Sequence, residues 1–248
     1  MNKKYKVFLL LLIVILAISS YFFIKEIAEN NKEKYFYTDL QTMVHTDNKN
    51  NDEIKENNTT NYDLKNIYDL NHDVIGWIKI DGTNIDYPVM QNEDYYLYRN
   101  IYKEYSSHGT PYLADNCNIE TSDNLVIYGH HMNDNSMFSQ LDDYKKHEFY
   151  KKHKFIRFYT MKNNITEENL YEIVAVFKTV VYTNNSFQYY KYINFHDEEE
   201  FKGFSNKCND LKLYSTDSTM SFKDKLITLS TCEYSQKNGR MVIIAKKI

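Results

Sequence analysis

The sequence predicts a mainly β domain with peripheral helices, its strands closed into a barrel or packed as a sandwich, and three observations carry that expectation. Eight short apolar segments follow one another between Trp77 and Ala245, a density of strands that suits an all-β core. In one of them Tyr171, Ile173, Ala175 and Phe177 are separated by Glu172, Val174, Val176 and Lys178, the period of a half-buried strand with extra valines. The stretch from about residue 61 to residue 248 has no internal repeat and the size of a single domain.

The chain ahead of that domain reads as an anchor and a spacer. Lys3, Lys4 and Lys6 precede the uncharged stretch from Val7 to Ile24, which approaches the roughly 17 to 25 residues a bilayer crossing needs. Positive charge before the span keeps residues 1–6 in the cytoplasm and makes 7–24 a single transmembrane signal anchor, with the rest of the chain outside the cell. A cleaved signal peptide is the rival, because Ala17-Ile18-Ser19-Ser20 are small. Bulky Tyr21-Phe22-Phe23-Ile24 follow them instead of a small-x-small site, which favours retention. Residues 25–60 are rich in Asn, Lys, Glu and Asp and bury too little to offset their ordering entropy, so they are expected to form a flexible or partly helical tether.

Within residues 61–248 the elements follow in order. Leu64, Ile67, Tyr68 and Leu70 mark a helix before the first strand. Strands are expected at Trp77 to Ile80, Ile85 to Val89, Pro111 to Ala114, Leu125 to Tyr128, Phe155 to Tyr159, Tyr171 to Val181, Lys225 to Cys232 and Arg240 to Ala245. Met137, Phe138, Leu141 and Tyr144 suggest a second helix after the fourth strand. Between the sixth and seventh strands, Phe201, Phe204, Cys208 and Leu211 recur at spacings of three and four, which predicts an amphipathic helix from Asp197 to Tyr214. Asp197 and Glu200 form a variant capping box at its start.

Chemistry enters at the strand ends. Cys232 closes one apolar run and Arg240 opens the next, so a thiol and a permanent cation stand at facing ends of two neighbouring strands. Each residue alone has a bland reading, the cysteine as a small buried hydrophobe and the arginine as a solvated strand end. A nucleophilic cysteine needs a histidine or another cation beside it. Leu125-Val126-Ile127-Tyr128, stopped by Gly129, delivers His130 and His131 at a strand end. Of the eight histidines, His147 and His153 lie among lysines, His72, His108 and His196 in polar turns, and His45 in the tether; none follows an apolar run as His130 does.

These segments together, Tyr128-Gly129-His130-His131-Met132, Thr228-Leu229-Ser230-Thr231-Cys232 and Arg240, resemble the sortases, specifically class B. Gly76-Trp77-Ile78-Lys79-Ile80, Ile85-Asp86-Tyr87-Pro88-Val89-Met90-Gln91 and Asn135-Ser136-Met137-Phe138 extend the resemblance from about Leu64 to the last residue. It implies an eight-stranded sortase-type β-barrel with an N-terminal helix and, as in class B but not class A, a helix between strands six and seven. It also implies a membrane-anchored cysteine transpeptidase. Such an enzyme cleaves a C-terminal sorting signal of secreted proteins, holds the acyl group as a thioester and passes it to an amine of the cell-wall precursor or peptidoglycan. By the same resemblance Cys232 is the nucleophile, His130 the general acid and base, and Arg240 the oxyanion partner. Ser230 and Glu233, which flank the cysteine, would line the substrate groove. The family places its imidazole directly after the glycine, which selects His130 over His131.

Other classes fit less well. With net charge -4 and no basic stripe beyond the lysines near His147 and His153, nothing points to nucleic acid. A secreted cysteine hydrolase would share the cysteine and histidine, but the papain-type signature is absent and the cysteine follows the histidine. A non-catalytic anchored binding module would not need Cys232, His130 and Arg240 intact. Neither the adjacent His130 and His131 nor His147 and His153 has a common zinc spacing, so no metal or cofactor is expected. Three cysteines outside the membrane leave at least one thiol unpaired, and a Cys117–Cys208 pairing is left open.

Overall fold

The computed structural model describes residues 3–46, 61–183 and 186–248. Helix α1 (Lys3–Val44) runs unbroken for 42 residues, as a chain with no glycine or proline before Gly76 can. It crosses the expected boundary at residue 24, so residues 25–44 of the expected tether are helical; residues 47–60 of the tether lie outside the described residues. Among the described residues α1 is the one helix long and apolar enough to cross a membrane. The chain divides into two compact units, residues 1–39 and residues 40–248.

The second unit holds the barrel. A two-residue pair, β1 (His45–Thr46) with β2 (Asn61–Tyr62), and the short helix α2 (Lys65–Leu70) precede it. Then come β3 (Val74–Lys79), β4 (Asp86–Met90), β5 (Tyr112–Leu113), β6 (Asn124–Tyr128), helix α3 (His147–Lys152), β7 (Phe155–Lys162), β8 (Ile165–Val180), helix α4 (Glu198–Leu211), β9 (Leu226–Glu233) and β10 (Gly239–Lys247). Round the closed barrel the order is β10-β8-β7-β3-β4-β5-β6-β9, with β9 hydrogen-bonded back onto β10. The pairs β4·β5 and β6·β9 are parallel and the rest antiparallel. Closure removes the unpaired edges that an open sheet would expose. Trp77, Ile78, Phe158, Val176, Phe177 and Ile243 are fully buried.

All eight expected strands form, with two instructive differences in length and type. β8 begins at Ile165, six residues ahead of Tyr171, because polar Thr166 to Asn169 pair with β7 through their backbone. The helix expected around Phe138, Leu141 and Tyr144 is a 3-10 helix over Ser139–Lys145; a spacing of three throughout is the period of that tighter coil. Helix α4 starts where expected, with the Asp197 carboxylate accepting from the Glu200 amide at 2.8 Å and the Glu200 carboxylate accepting from the His196 amide at 2.9 Å. The insertion between β8 and β9 packs Phe187, Tyr192 and Phe195 against Phe204 of α4 and reaches β8 through Phe177, 5.9 Å from Phe187. Cys117, Cys208 and Cys232 are all free; the first two are buried, and burial raises both thiols well above the usual range.

Candidate active site

The site is built where β6, β9 and β10 run side by side. Cys232 on β9 and Arg240 on β10 are direct cross-strand partners. Paired residues share a face with Cβ atoms about 5 Å apart, so the sulfur and guanidinium project together. Cys232 is partly exposed. Among the described residues Arg240 donates only to the carbonyl of its neighbour Gly239, at 2.9 Å, and lies 6.0 Å from the exposed Tyr182 ring. Among the described residues no carboxylate pairs with it, so its charge is not neutralised before a ligand arrives.

The third group arrives along a parallel strand. β6 ends with Tyr128 opposite Ser230 of β9. Two bonds continue the stitching: the Gly129 amide donates to the Ser230 carbonyl at 3.2 Å, and the Thr231 hydroxyl donates to the Gly129 carbonyl at 2.8 Å. His130 is the residue that follows, just beyond the end of β6 that lies alongside β9. Glycine is required before it because a Cβ at Gly129 would stand 2.6 Å from the buried Phe138 ring.

The imidazole of His130 is oriented by one strong contact. Its Nε2 lies 2.7 Å from the Leu97 carbonyl oxygen. A carbonyl can only accept, so Nε2 carries a hydrogen whichever charge state the ring is in, and the proton gained or lost is the one on Nδ1. The Tyr98 ring, 5.5 Å away, flanks the imidazole. Burial lowers the His130 pKa below its ordinary 6.5, the Leu97 bond opposes that, and His108 adds to it; the ring is therefore neutral near pH 7. His131 turns elsewhere, its Nε2 3.7 Å from the Asp142 carboxylate and its ring against Tyr234. A thiol, a neutral imidazole and an uncommitted guanidinium at one barrel rim can attack a carbonyl, move a proton and balance an oxyanion.

Residues 78–248 match the family model for the sortase domain. Sortase B of Listeria monocytogenes is 34% identical over 75% of this chain and 74% of its own length, and sortase B of Staphylococcus aureus is 30% identical over 72% of each. Among solved structures, a Staphylococcus aureus sortase B–substrate complex superposes with a TM-score of 0.66 at 31% identity, covering 75% of this chain and 84% of that one. Sortase B from Bacillus anthracis in complex with AAEK1 reaches 0.71 at 27% identity, covering 89% and 98%. The chain belongs to the sortase family. It is of class B, a cysteine transpeptidase that attaches proteins to the cell wall.

In this sortase the two residues expected to line a groove are both enclosed. Ser230 shares the Cys232 face but is 1% exposed, its hydroxyl 2.6 Å from the Tyr189 hydroxyl. Glu233 is 2% exposed and, one residue on from Cys232, points to the opposite face of β9. There its carboxylate accepts from Lys145 at 2.6 Å and from the Ser235 hydroxyl at 2.6 Å, with Lys178 at 3.8 Å. Leu97, Tyr98, Tyr189 and Lys145 escape sequence reasoning. The Leu97 contact is made by a backbone carbonyl, which carries no residue signature, and the others lie in short 3-10 segments whose sequence does not say which strand they face.

The pairing of buried Glu233 with exposed Lys145 gives the sortase an acid-sensitive joint directly behind Cys232. Burial pushes the Glu233 carboxyl up, but the hydrogen bonds from Lys145 and Ser235 outweigh it and bring the pKa down to about 2. A depressed carboxyl stabilises the fold above its unfolded pKa, near 4.5, and that contribution is lost as pH falls towards the folded value. Thermal unfolding of wild type and Glu233→Gln should therefore differ most above pH 4.5, with the wild type more stable, and converge as pH approaches 2. Curves that stay parallel throughout would show that Glu233 does not titrate against Lys145.

Proposed function

We propose that this sortase carries out transpeptidation through Cys232, His130 and Arg240, and the cross-strand pairing of Cys232 with Arg240 beside the Gly129–His130 strand end is the observation that carries the reading. The Cys232 sulfur attacks the scissile carbonyl of a C-terminal sorting signal while its proton passes to Nδ1 of His130. Arg240 balances the charge that develops on the carbonyl oxygen, where a fixed cation acts most strongly in the transition state. As the intermediate collapses, the C–N bond breaks and the departing amine takes the proton from Nδ1. The acyl group is then a thioester on Cys232. An incoming cell-wall amine attacks it, gives its proton to Nδ1, and the C–S bond breaks; the proton returns to sulfur. The Leu97 carbonyl keeps Nε2–H in place throughout, so one ring nitrogen serves both half-reactions.

Ser230 and Glu233 support β9 from its two faces: Ser230 ties it to the Tyr189 turn on the Cys232 side, and Glu233 fixes the far face through Lys145. The apolar stretch of α1 supports single-pass anchoring, with the barrel on the outer side of the membrane. The resemblance to a sortase B–substrate complex supports secreted proteins bearing a sorting signal as substrates. A sorting-signal peptide incubated with the enzyme should yield free acid alone, and added amine should divert most of the product into a new amide with little change in the rate of peptide loss. Mass spectrometry of the products decides it: only free acid at every amine concentration would make the enzyme a hydrolase.

A further inference from the structure

Two loops meet at His130, and a half-buried contact between them lies outside the reacting groups. The segment 91–111, between β4 and β5, doubles back on itself: the Thr110 amide donates to the Tyr96 carbonyl at 3.0 Å and the Ser106 amide to the Tyr98 carbonyl at 3.1 Å. Its outgoing leg presents the Leu97 carbonyl to His130. Its return leg presses on that same carbonyl, since Gly109, at φ +59°, comes so close that a Cβ there would stand 2.4 Å from the Leu97 oxygen. The residue before it is His108, 1% exposed.

The second segment, 129–138, carries His130 away from β6. It folds into a tight turn, with the Phe138 amide donating to the His130 carbonyl at 2.9 Å and Asn135 and Met137 in left-handed conformations. Asp134 sits in this turn. One carboxylate oxygen accepts from the Ser136 amide at 3.1 Å and hydroxyl at 2.6 Å, while the other lies 3.1 Å from Nε2 of His108. Nδ1 of His108 is 3.3 Å from the Ser107 hydroxyl.

We propose that His108 and Asp134 are positioning residues for catalysis, cross-linking the two loops so that the Leu97 carbonyl stays on Nε2 of His130. The contacts close a circuit: His130 to Leu97, Leu97 against Gly109, His108 to Asp134, and Asp134 back along four residues to His130. Opening it at the His108–Asp134 link frees the return leg, and the carbonyl that fixes the imidazole's tautomer and direction loses its backing. Misplacing a catalytic group by about 1 Å can cost roughly 100-fold in rate. The inference rests on His130 being the proton-transfer group.

The test uses the full-length sortase in detergent with a sorting-signal peptide. His108→Leu and Asp134→Ala should each lower kcat by about 10- to 100-fold with KM within about twofold. His108→Gln, whose amide nitrogen replaces Nε2, should recover most of the loss. The 15N spectrum of His130 separates positioning from mere stability: wild type and His108→Gln should show a single Nε2–H form, and the two disruptive variants a mixture. Wild-type kcat in His108→Leu and Asp134→Ala overturns the proposal, and so does a loss that leaves the His130 signature unchanged once the folded fraction is corrected for. Should His108→Leu not fold, Asp134→Ala and His108→Gln still decide. His130→Ala run alongside tells the two failures apart, because turnover by that variant would defeat the proton-transfer reading itself.

Discussion

Replacing Cys232 by alanine should abolish acyl-enzyme formation and lower peptide cleavage by roughly four orders of magnitude or more, with the fold intact. The sulfur is partly exposed and makes no hydrogen bond among the described residues, so its removal leaves no buried partner unsatisfied. Cys232→Ser keeps the geometry but offers a hydroxyl that ionises far less readily than a thiol, and the only acyl product open to it is an ester, which amines attack more slowly. The two other thiols provide the control. Cys117 is buried with its sulfur 3.5 Å from the Asn124 carbonyl and its pKa pushed up to about 11, and Cys208 is fully buried in α4. Cys117→Ala and Cys208→Ala should therefore still form the thioester, at whatever stability their cavities leave. Intact-protein mass spectrometry after mixing with a sorting-signal peptide reads all four variants. An acyl adduct on Cys232→Ala would remove the sulfur from the mechanism.

The parts of this architecture that were legible in the sequence are those with a repeating or punctuated signal. The eight strands were visible as apolar runs, α4 through the spacing of Phe201, Phe204 and Cys208, and its start through Asp197 and Glu200. Cys232, His130 and Arg240 were visible because each sits where an apolar run begins or ends, and strand ends at a barrel rim are where side chains project. What stayed hidden depends on contacts across long sequence separation. The Leu97 carbonyl that holds His130 is a backbone atom 33 residues away. The pairing of Glu233 with Lys145 joins residues 88 apart, and it was the family resemblance that suggested a groove role for Glu233. The continuation of α1 past residue 24 has a local cause instead: the composition of 25–44 is polar enough for a tether, yet nothing in it breaks a helix that the apolar stretch has already nucleated.

The second large effect distinguishes adjacent histidines. His130→Ala should lower thioester formation by about 10²- to 10⁴-fold, the usual worth of a positioned acid and base, whereas His131→Ala should stay within about threefold of wild type. The two rings are one residue apart and differ in what they face. His130 is held by Leu97 with Nδ1 left for proton transfer, while His131 packs on Tyr234 and turns its Nε2 to Asp142. The pH profile supplies an independent reading. Burial lowers the His130 pKa below 6.5, and the attacking step needs the neutral ring, so turnover should fall only as pH drops below that value. His130→Ala should lose this acid limb along with its rate, and His131→Ala should keep both. If instead His131→Ala were the inactive variant, with the acid limb gone, the proton would travel through the second imidazole, and the Leu97 contact would have no catalytic meaning.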